Sequence, residues 1–404
     1  MLQNVTLSPS RRALEFGIYR DGDNNLDRVQ SVVIDQAVDT SAANSRIQFT
    51  VEDTTSRHGG GLHTDQFTIA DGTIGRVETD KAHDMSDEAN LARFVAKTLD
   101  NARASGAKQT WIDVVDHGGG DGGGLQTHDG SCMSMPDIAK AVADGIALHA
   151  KQHPEDAARN VDGVVANQCL MDTMGFADAL SHAGVKYLAA SPETMLAPGV
   201  PTGVALDIAS HEADPTAMAH AVVSDVMRAK LDSFAGSIRP AAAFDVLDLN
   251  PEKIARAESA IKRFNNDAAA AARDPEIRSS LRDDLNGIDG MVRFRSATKD
   301  MPWRADRPAI AAYDTIAHDR ALPDGVRGDA LTARNAVRDL VLAHRESRSF
   351  APFDGASYSD ATGPTMHFPT SKDQIDPWAQ NGVSETDNAF YKAVDQDKFV
   401  RALA

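Results

Sequence analysis

Short apolar runs rich in β-branched residues alternate with longer stretches of helical periodicity through the first half of the chain, and this alternation most limits the folds open to it. Parallel neighbours in a sheet need a long crossover and a helix is the usual one, so the order points to an α/β domain with a mostly parallel sheet. The spacing predicts strands at 13–19, 46–51, 110–115, 163–166 and 186–190, with helices at 25–40, 86–105, 134–152 and 173–183 between them. Ser86 before Asp87 and Glu88 reads as a helix start, and Gly106 and Gly184 follow the last apolar positions of two helices as stops.

The second half reads differently. Ala-rich helical patterns run over 214–235, 251–285 and 325–348, a short strand is expected at 365–368 after Gly363-Pro364, and a last helix at 385–403. A boundary near residue 240 divides a sheet-bearing part, 1–240, from a mostly helical part, 241–404, expected to pack on it and complete the same unit. A chain of 404 residues, 42% of them apolar, can bury a large core.

Acidic residues outnumber basic ones 59 to 41, giving a formal net charge of −18, which argues against a nucleic-acid binder because phosphate contacts need clustered Lys and Arg. The two cysteines, Cys132 and Cys169, are too few for a disulfide framework or a cysteine-rich zinc site; they make one bridge or two free thiols. The first residues lack the apolar run of a secretory signal, and no stretch of about twenty apolar residues occurs, so the expectation is a soluble protein that is cytoplasmic or exported without a cleaved signal, with no membrane span.

Two segments place a reactive side chain at the carboxyl end of an expected strand, where open α/β sheets hold their ligands. In TWIDVVDHGGGDGGGLQ an apolar strand runs into Asp116, His117 and the glycines from Gly118 onward; in VDGVVANQCLMDTMG a strand runs into Asn167, Gln168 and Cys169 before a helix opens near Thr173. If the two strands are parallel neighbours, His117 and Cys169 face each other, and an imidazole beside a thiol is what nucleophilic catalysis requires. The Gly118 and Cys169 N–H groups can then point at a developing oxyanion. The bland readings stand beside this: a Cys in an apolar core as an inert small hydrophobe, and a His before glycines as a loop residue. The glycine run itself reads as a mobile loop.

The segments DHGGG and NQCLMD resemble the clostripain family of cysteine peptidases, whose catalytic His sits in a DHG motif and whose catalytic Cys sits in a D-x-C-L-M motif after the next strand. FGIYRDGDNNLD, HDMSDEANLARFV, KYLAASPETMLAPGVPTG, FDVLDLNPEKIARA and GPTMHFPTS are similar to further family stretches, in order, so the resemblance spans most of the chain. It implies a caspase-like three-layer α/β sandwich with a largely helical C-terminal part, protein or peptide substrates, and no cofactor in the chemistry. His117 takes the general-base role, Cys169 the nucleophile role, and Gly118 with Cys169 the oxyanion-hole role. Substrate binding falls to Asn167, Gln168, Ser191 and Glu193. Asp116 is expected to be structural.

One departure bears on specificity. Asn167 stands where the family has the Asp that selects Arg or Lys at P1, and an amide cannot neutralise a buried cation. A strict Arg or Lys preference is therefore not expected, with Glu193 the nearest replacement carboxylate. Self-cleavage at Lys140, Lys151 or Arg159 is correspondingly disfavoured, and an intact single chain is expected. The alternative is a catalytically weak relative that serves as a binding module or partner-specific effector.

Other motifs are set aside. The stretch from Asp21 to Asp27 imitates half a calcium loop but has Leu26 at the sixth position and Val32 at the twelfth, where glycine and an acid belong, so it reads as a helix cap. Calcium is compatible with the resemblance, but no site for it is named. No P-loop, HExxH or G-x-S-x-G is present. The remaining histidines, His58 and His63 among them, read as surface residues without partners at metal spacing.

Overall fold

A computed structural model describes residues 12–56, 61–195, 198–232, 242–288, 305–347, 361–375 and 388–404. His58 and the expected helical residues 385–387 lie outside them. Nine strands form the path of a ten-stranded sheet, and one more pairs at its side. Its centre is parallel: β1 (Leu14–Asp21) lies between β2 (Ile47–Thr55) and β6 (Gln109–Val115), followed by β7 (Gly163–Asn167) and β8 (Tyr187–Ala190). Antiparallel strands close both sides. On one flank β3 (His63–Ala70) pairs with β2 and carries β4 (Thr73–Ile74) and β5 (Glu78–Lys81). On the other, β9 (Ala243–Asp248) pairs with β8 and β11 (Val341–Glu346) with β9. The sheet thus extends beyond residue 240. A separate small ribbon joins β10 (Asp306–Pro308) to β12 (Thr365–His367).

Side chains alternate across the sheet, which makes the architecture a three-layer sandwich. Ile112, Val114, Val164, Ala166 and Leu188 point to one core with α3 (Glu88–Ser105), α4 (Met135–Gln152) and α5 (Met174–His182). Trp111, Val115, Val165 and Ala189 point to the other, against α2 (Val32–Ala43), α6 (Val204–Ser210) and α7 (Pro215–Asp232). A short α1 (Asp27–Gln30) precedes α2. The first core continues without a break into α8 (Pro251–Ala271), α9 (Pro275–Gly287), α10 (Ala309–His318), α11 (Asp324–Arg338), α12 (Ala389–Ala393) and α13 (Gln396–Leu403).

The ends of the helices follow local chemistry. Asp87, not Ser86, caps α3 by accepting from Ala89 N, and α3 stops at Gly106 in the left-handed region, φ 68°. Ser134 and Thr173 cap α4 and α5, each worth about 1 kcal/mol. The helix expected over 251–285 divides at Asp274-Pro275, because Pro cannot continue the ladder and Asp274 caps the new start. The helix expected over 325–348 ends at Arg338, and its tail is β11, whose pairing with β9 outweighs local pattern.

Candidate active site

β6 and β7 pair in parallel with Val115 opposite Asn167 as the last pair, so His117 and Cys169 each stand two residues beyond it, at neighbouring strand exits. The two exits stay joined. Asp116 N–H donates to Asn167 O at 3.4 Å, and Gln168 Nε2 donates to His117 O at 2.9 Å. A Cβ on Gly118 would lie 2.3 Å from Cys169 O and 3.0 Å from Cys169 N. Only glycine permits this approach.

The following glycines form a hydrogen-bonded turn rather than the mobile loop expected from composition. Gly119 N–H donates to Gly123 O at 2.8 Å, Gly124 and Met133 exchange bonds of 2.9 and 2.8 Å, and Leu125 N–H donates to His117 O at 3.3 Å. A Cβ on Gly124 would meet Gln168 Nε2 at 2.2 Å, and Gly123 takes φ 93° against Met133 O. These glycines serve fit, not freedom. Among the described residues, the N–H groups of Gly118 and Cys169 donate to no backbone carbonyl.

His117 is half-buried, and its Nε2 contacts Asn25 Oδ1 at 2.8 Å. An amide oxygen only accepts, so Nε2 carries the proton and Nδ1 keeps the lone pair. Burial lowers the imidazole's pKa, which keeps it neutral near pH 7. Asp116 does not contact the ring: its carboxylate accepts from Asn24 Nδ2 at 2.6 Å and from Gln126 N–H, tying the β1 exit loop to the β6 exit. Burial, then the nearby Asp21, raises its pKa well above the carboxylate range. The Asp21–Asp27 stretch thereby supplies a brace and a histidine partner. It also caps the turn that opens α1, where Asn24 Oδ1 accepts Leu26 N–H at 2.8 Å, while Asp27 pairs with Arg20.

Cys169 is partly buried, both cysteines are free, and its Sγ accepts from Met195 N–H at 3.2 Å. Burial raises the thiol's pKa, opposed by the Met195 N–H and by the charge of Lys230. Lys230, on α7, is itself buried, with Nζ 5.7 Å from the Phe244 ring centre and its pKa lowered to about 8 by burial. The next residue, Leu170, has φ 65°, a left-handed backbone that a side chain of this kind rarely adopts. Helix α5 opens only at Met174 with Thr173 as its cap, so its N-terminus is spent on that cap. No hydrogen bond joins the imidazole to the thiol; each holds another partner.

The four expected substrate residues are all buried. Asn167 donates to Val200 O at 3.2 Å, accepts from Val200 N–H at 2.8 Å and bonds the buried Asp113. It fastens the loop before α6 instead of presenting an amide to solvent. Gln168 holds His117 O, and Ser191 Oγ donates to Ala243 O at 2.8 Å while accepting from Glu193 N–H at 3.2 Å. Glu193 accepts Leu170 N–H at 3.1 Å on its carbonyl, and its charge acts on the Cys169 thiol. Sequence reasoning missed Asn25, Lys230 and Met195. Only Asn25 left a signal there, as an uncommitted amide in the loop at a parallel strand end.

His117 lines an open cleft of about 600 Å³ with Asn24, Asn25, Gln126, Thr127 and His128. No helix among the described residues is long and apolar enough to cross a membrane. The expectation that the remaining histidines lack acidic partners is wrong: His63 Nε2 lies 3.5 Å from Asp65, and His149 and His153 meet Asp100. Asp65 lies on the same strand as His63, two residues on, whereas the acid that meets His149 and His153 comes from a different helix, α3, which sequence spacing does not display.

No protein-family model matches the sequence, and no curated protein does. Solved structures do match. A secreted C11 cysteine protease from Bacteroides thetaiotaomicron in complex with an irreversible peptide inhibitor superposes with TM-score 0.69 at 11% identity, over 96% of this chain and 100% of that one. An inactive zymogen C11 protease from Parabacteroides distasonis gives TM-score 0.65 at 13% identity, over 96% and 99%. A second structure of a secreted protease from Bacteroides thetaiotaomicron, iotapain, gives 0.63 at 13%, over 95% and 99%. From its first strand to its last helix, this chain has the fold of the clostripain-like C11 cysteine proteases.

Proposed function

We propose that the chain is a cysteine endopeptidase in which Cys169 is the nucleophile and His117 the general base. What supports the reading is that His117 and Cys169 leave neighbouring parallel strands, with Gly118 packed against the Cys169 backbone and the N–H groups of both without a carbonyl partner among the described residues. The fold shared with C11 proteases agrees with it. At rest the pair is neutral, because burial raises the thiol's pKa and lowers the imidazole's. The thiol turns from Met195, His117 Nδ1 takes its proton, and the sulfur attacks the scissile carbonyl carbon. The oxyanion is received by the Gly118 and Cys169 N–H groups. The imidazolium then gives its proton to the leaving amine, and the same nitrogen activates the water that hydrolyses the thioester. Asn25 holds the proton on Nε2, so Nδ1 returns to the acceptor form after each transfer.

The P1 side chain is uncharged in this reading. The Asn167 amide is committed to Val200, and the buried Lys230 places a cation near Cys169 that disfavours Arg or Lys. A fluorogenic peptide library tests it; dominance of Arg or Lys at P1 sinks this part and makes Glu193 the selector. One observation favours a second reading, a catalytically weak partner-binding relative: thiol and imidazole each hold other partners. Labelling by a peptidyl electrophile separates the two. The peptidase predicts modification of Cys169 that His117→Ala abolishes, and equal labelling of both forms supports the binding module.

A further inference from the structure

We propose that Asp100, His149 and His153 form a binding site for a zinc-like divalent cation at the sheet rim opposite the candidate active site. The placement follows from the chain path. Helices α3 and α4 end where β6 and β7 begin, whereas His117 and Cys169 sit where those strands end. His149 and His153 are four residues apart at the end of α4, the spacing that sets two imidazoles on one helix face. Asp100 comes from the last turns of α3, which packs alongside.

The three side chains converge on one point. His149 Nδ1 lies 2.7 Å and His153 Nε2 3.2 Å from Asp100 Oδ1. One ligand atom from each of the three residues falls within 4.8 Å of the others. A tetrahedral zinc ion with bonds of about 2.1 Å spaces its ligands about 3.4 Å apart, so small side-chain shifts admit the ion.

The outer groups match a metal site as well. The ring nitrogen of each histidine that faces away from Asp100 faces another carboxylate: His149 Nε2 is 3.4 Å from Asp156 Oδ2, and His153 Nδ1 is 3.6 Å from Glu155 Oε1. Neither contact is a hydrogen bond as it stands, but both carboxylates lie where a small shift would let them hold the tautomer of a metal-bound imidazole. Both are held from behind, Asp156 by Arg159 Nε at 2.6 Å and Glu155 by an Arg103 guanidinium nitrogen at 2.6 Å. His149 is fully buried, while His153 and Asp100 keep 26% and 32% of their side chains exposed, which leaves an entry path. Two imidazoles and one carboxylate favour zinc or its neighbours over calcium or magnesium, which take oxygen ligands. A bound ion would clasp α3, α4 and the turn leading into β7.

The test uses the full chain carrying Cys132→Ala and Cys169→Ala, so that no thiolate competes for metal. Zinc chloride is titrated calorimetrically against a competing chelator, and cobalt(II) serves as a visible-absorption probe of tetrahedral ligation. The expected result is one ion per chain, a melting temperature that rises with free zinc, and about 10–100-fold weaker binding in Asp156→Asn. His153→Gln weakens binding at least as much and removes the cobalt bands. Its metal-free melting temperature stays unchanged, because His153 is partly exposed. Absence of stoichiometric zinc binding, or affinity unaltered by both substitutions, overturns the site and leaves an ionic cluster. Calcium or magnesium bound as tightly as zinc overturns the assigned class.

Discussion

Replacing Gly118 with Ala probes the contact on which the site depends. The added carbon would sit 2.3 Å from Cys169 O, about 1 Å inside the ordinary contact of about 3.5 Å, and 2.8 Å from Gln168 Cβ. Both obstacles belong to the β7 exit, which Gln168 already ties to His117 O, so neither can retreat without moving Cys169 and its amide. Overpacking of this kind costs about 1–3 kcal/mol of stability, and a shift of about 1 Å at a reacting pair costs about 100-fold in rate. The assay pairs kcat/KM on a library-derived peptide with the thermal midpoint and with iodoacetamide alkylation of Cys169, which needs no oxyanion hole. The expected pattern is a large loss of peptidase rate, a modest fall in midpoint and near-normal alkylation. Gly328→Ala on α11, where nothing lies within 4 Å, is the control; it should stabilise by about 0.5–1 kcal/mol and leave the rate alone. Wild-type kcat/KM in Gly118→Ala would refute the claim that this close approach sets the geometry.

Three further outcomes follow from the same contacts. Asn25→Ala removes the acceptor that fixes the imidazole tautomer and should lower kcat about fivefold with little change in KM, for a loss of about 1 kcal/mol; an unchanged kcat means that the ring is oriented by something else. Lys230→Met keeps the aliphatic packing on Phe244 but removes a cation that favours the thiolate, so the alkylation pH profile of Cys169 should move to higher pH, and an unmoved profile denies the coupling. Burial raises the pKa of the buried Asp172–Asp245 pair above the carboxylate range, so the folded state holds a proton that the unfolded chain loses near pH 4. The resulting stability is full below about pH 4 and is lost as pH rises through the raised folded value. Melting curves from pH 5 to 9 should therefore fall less steeply for Asp245→Asn than for the parent; parallel curves contradict the assignment.

The central layer was legible because its strands are buried on both faces and announce themselves by composition: β7, GVVAN, is buried at every position. The flanking strands were not. In β3 only Thr64 and Ile69 are buried, and β11 carries His344, Arg345 and Glu346, which read equally well as a helix tail. Their state is decided by pairing with β2 and β9, which are distant in sequence. The site divides in the same way. Residues at strand ends, His117 and Cys169, could be found from the alternation alone. Asn25, Met195 and Lys230 reach the site from a loop after β1, a loop after β8 and helix α7, and a buried Lys near the end of an Ala-rich helix looks like any solvated one until the fold is known. Asn167 was identified as a departure from the family pattern, yet its two bonds to Val200 become visible only in three dimensions.

The stretch just after Cys169 is pinned by the far end of the chain: Thr365 N–H donates to Asp172 O at 2.8 Å, and Thr173 bridges Thr365. During synthesis, the sulfur-bearing loop therefore lacks this buttress until the segment from Thr365 onward has left the ribosome. A contact between such distant residues also forms late in folding, because a long loop must close first. A nascent or truncated chain holds Cys169 without this seat, so under the proposed reading any proteolytic competence waits for that segment.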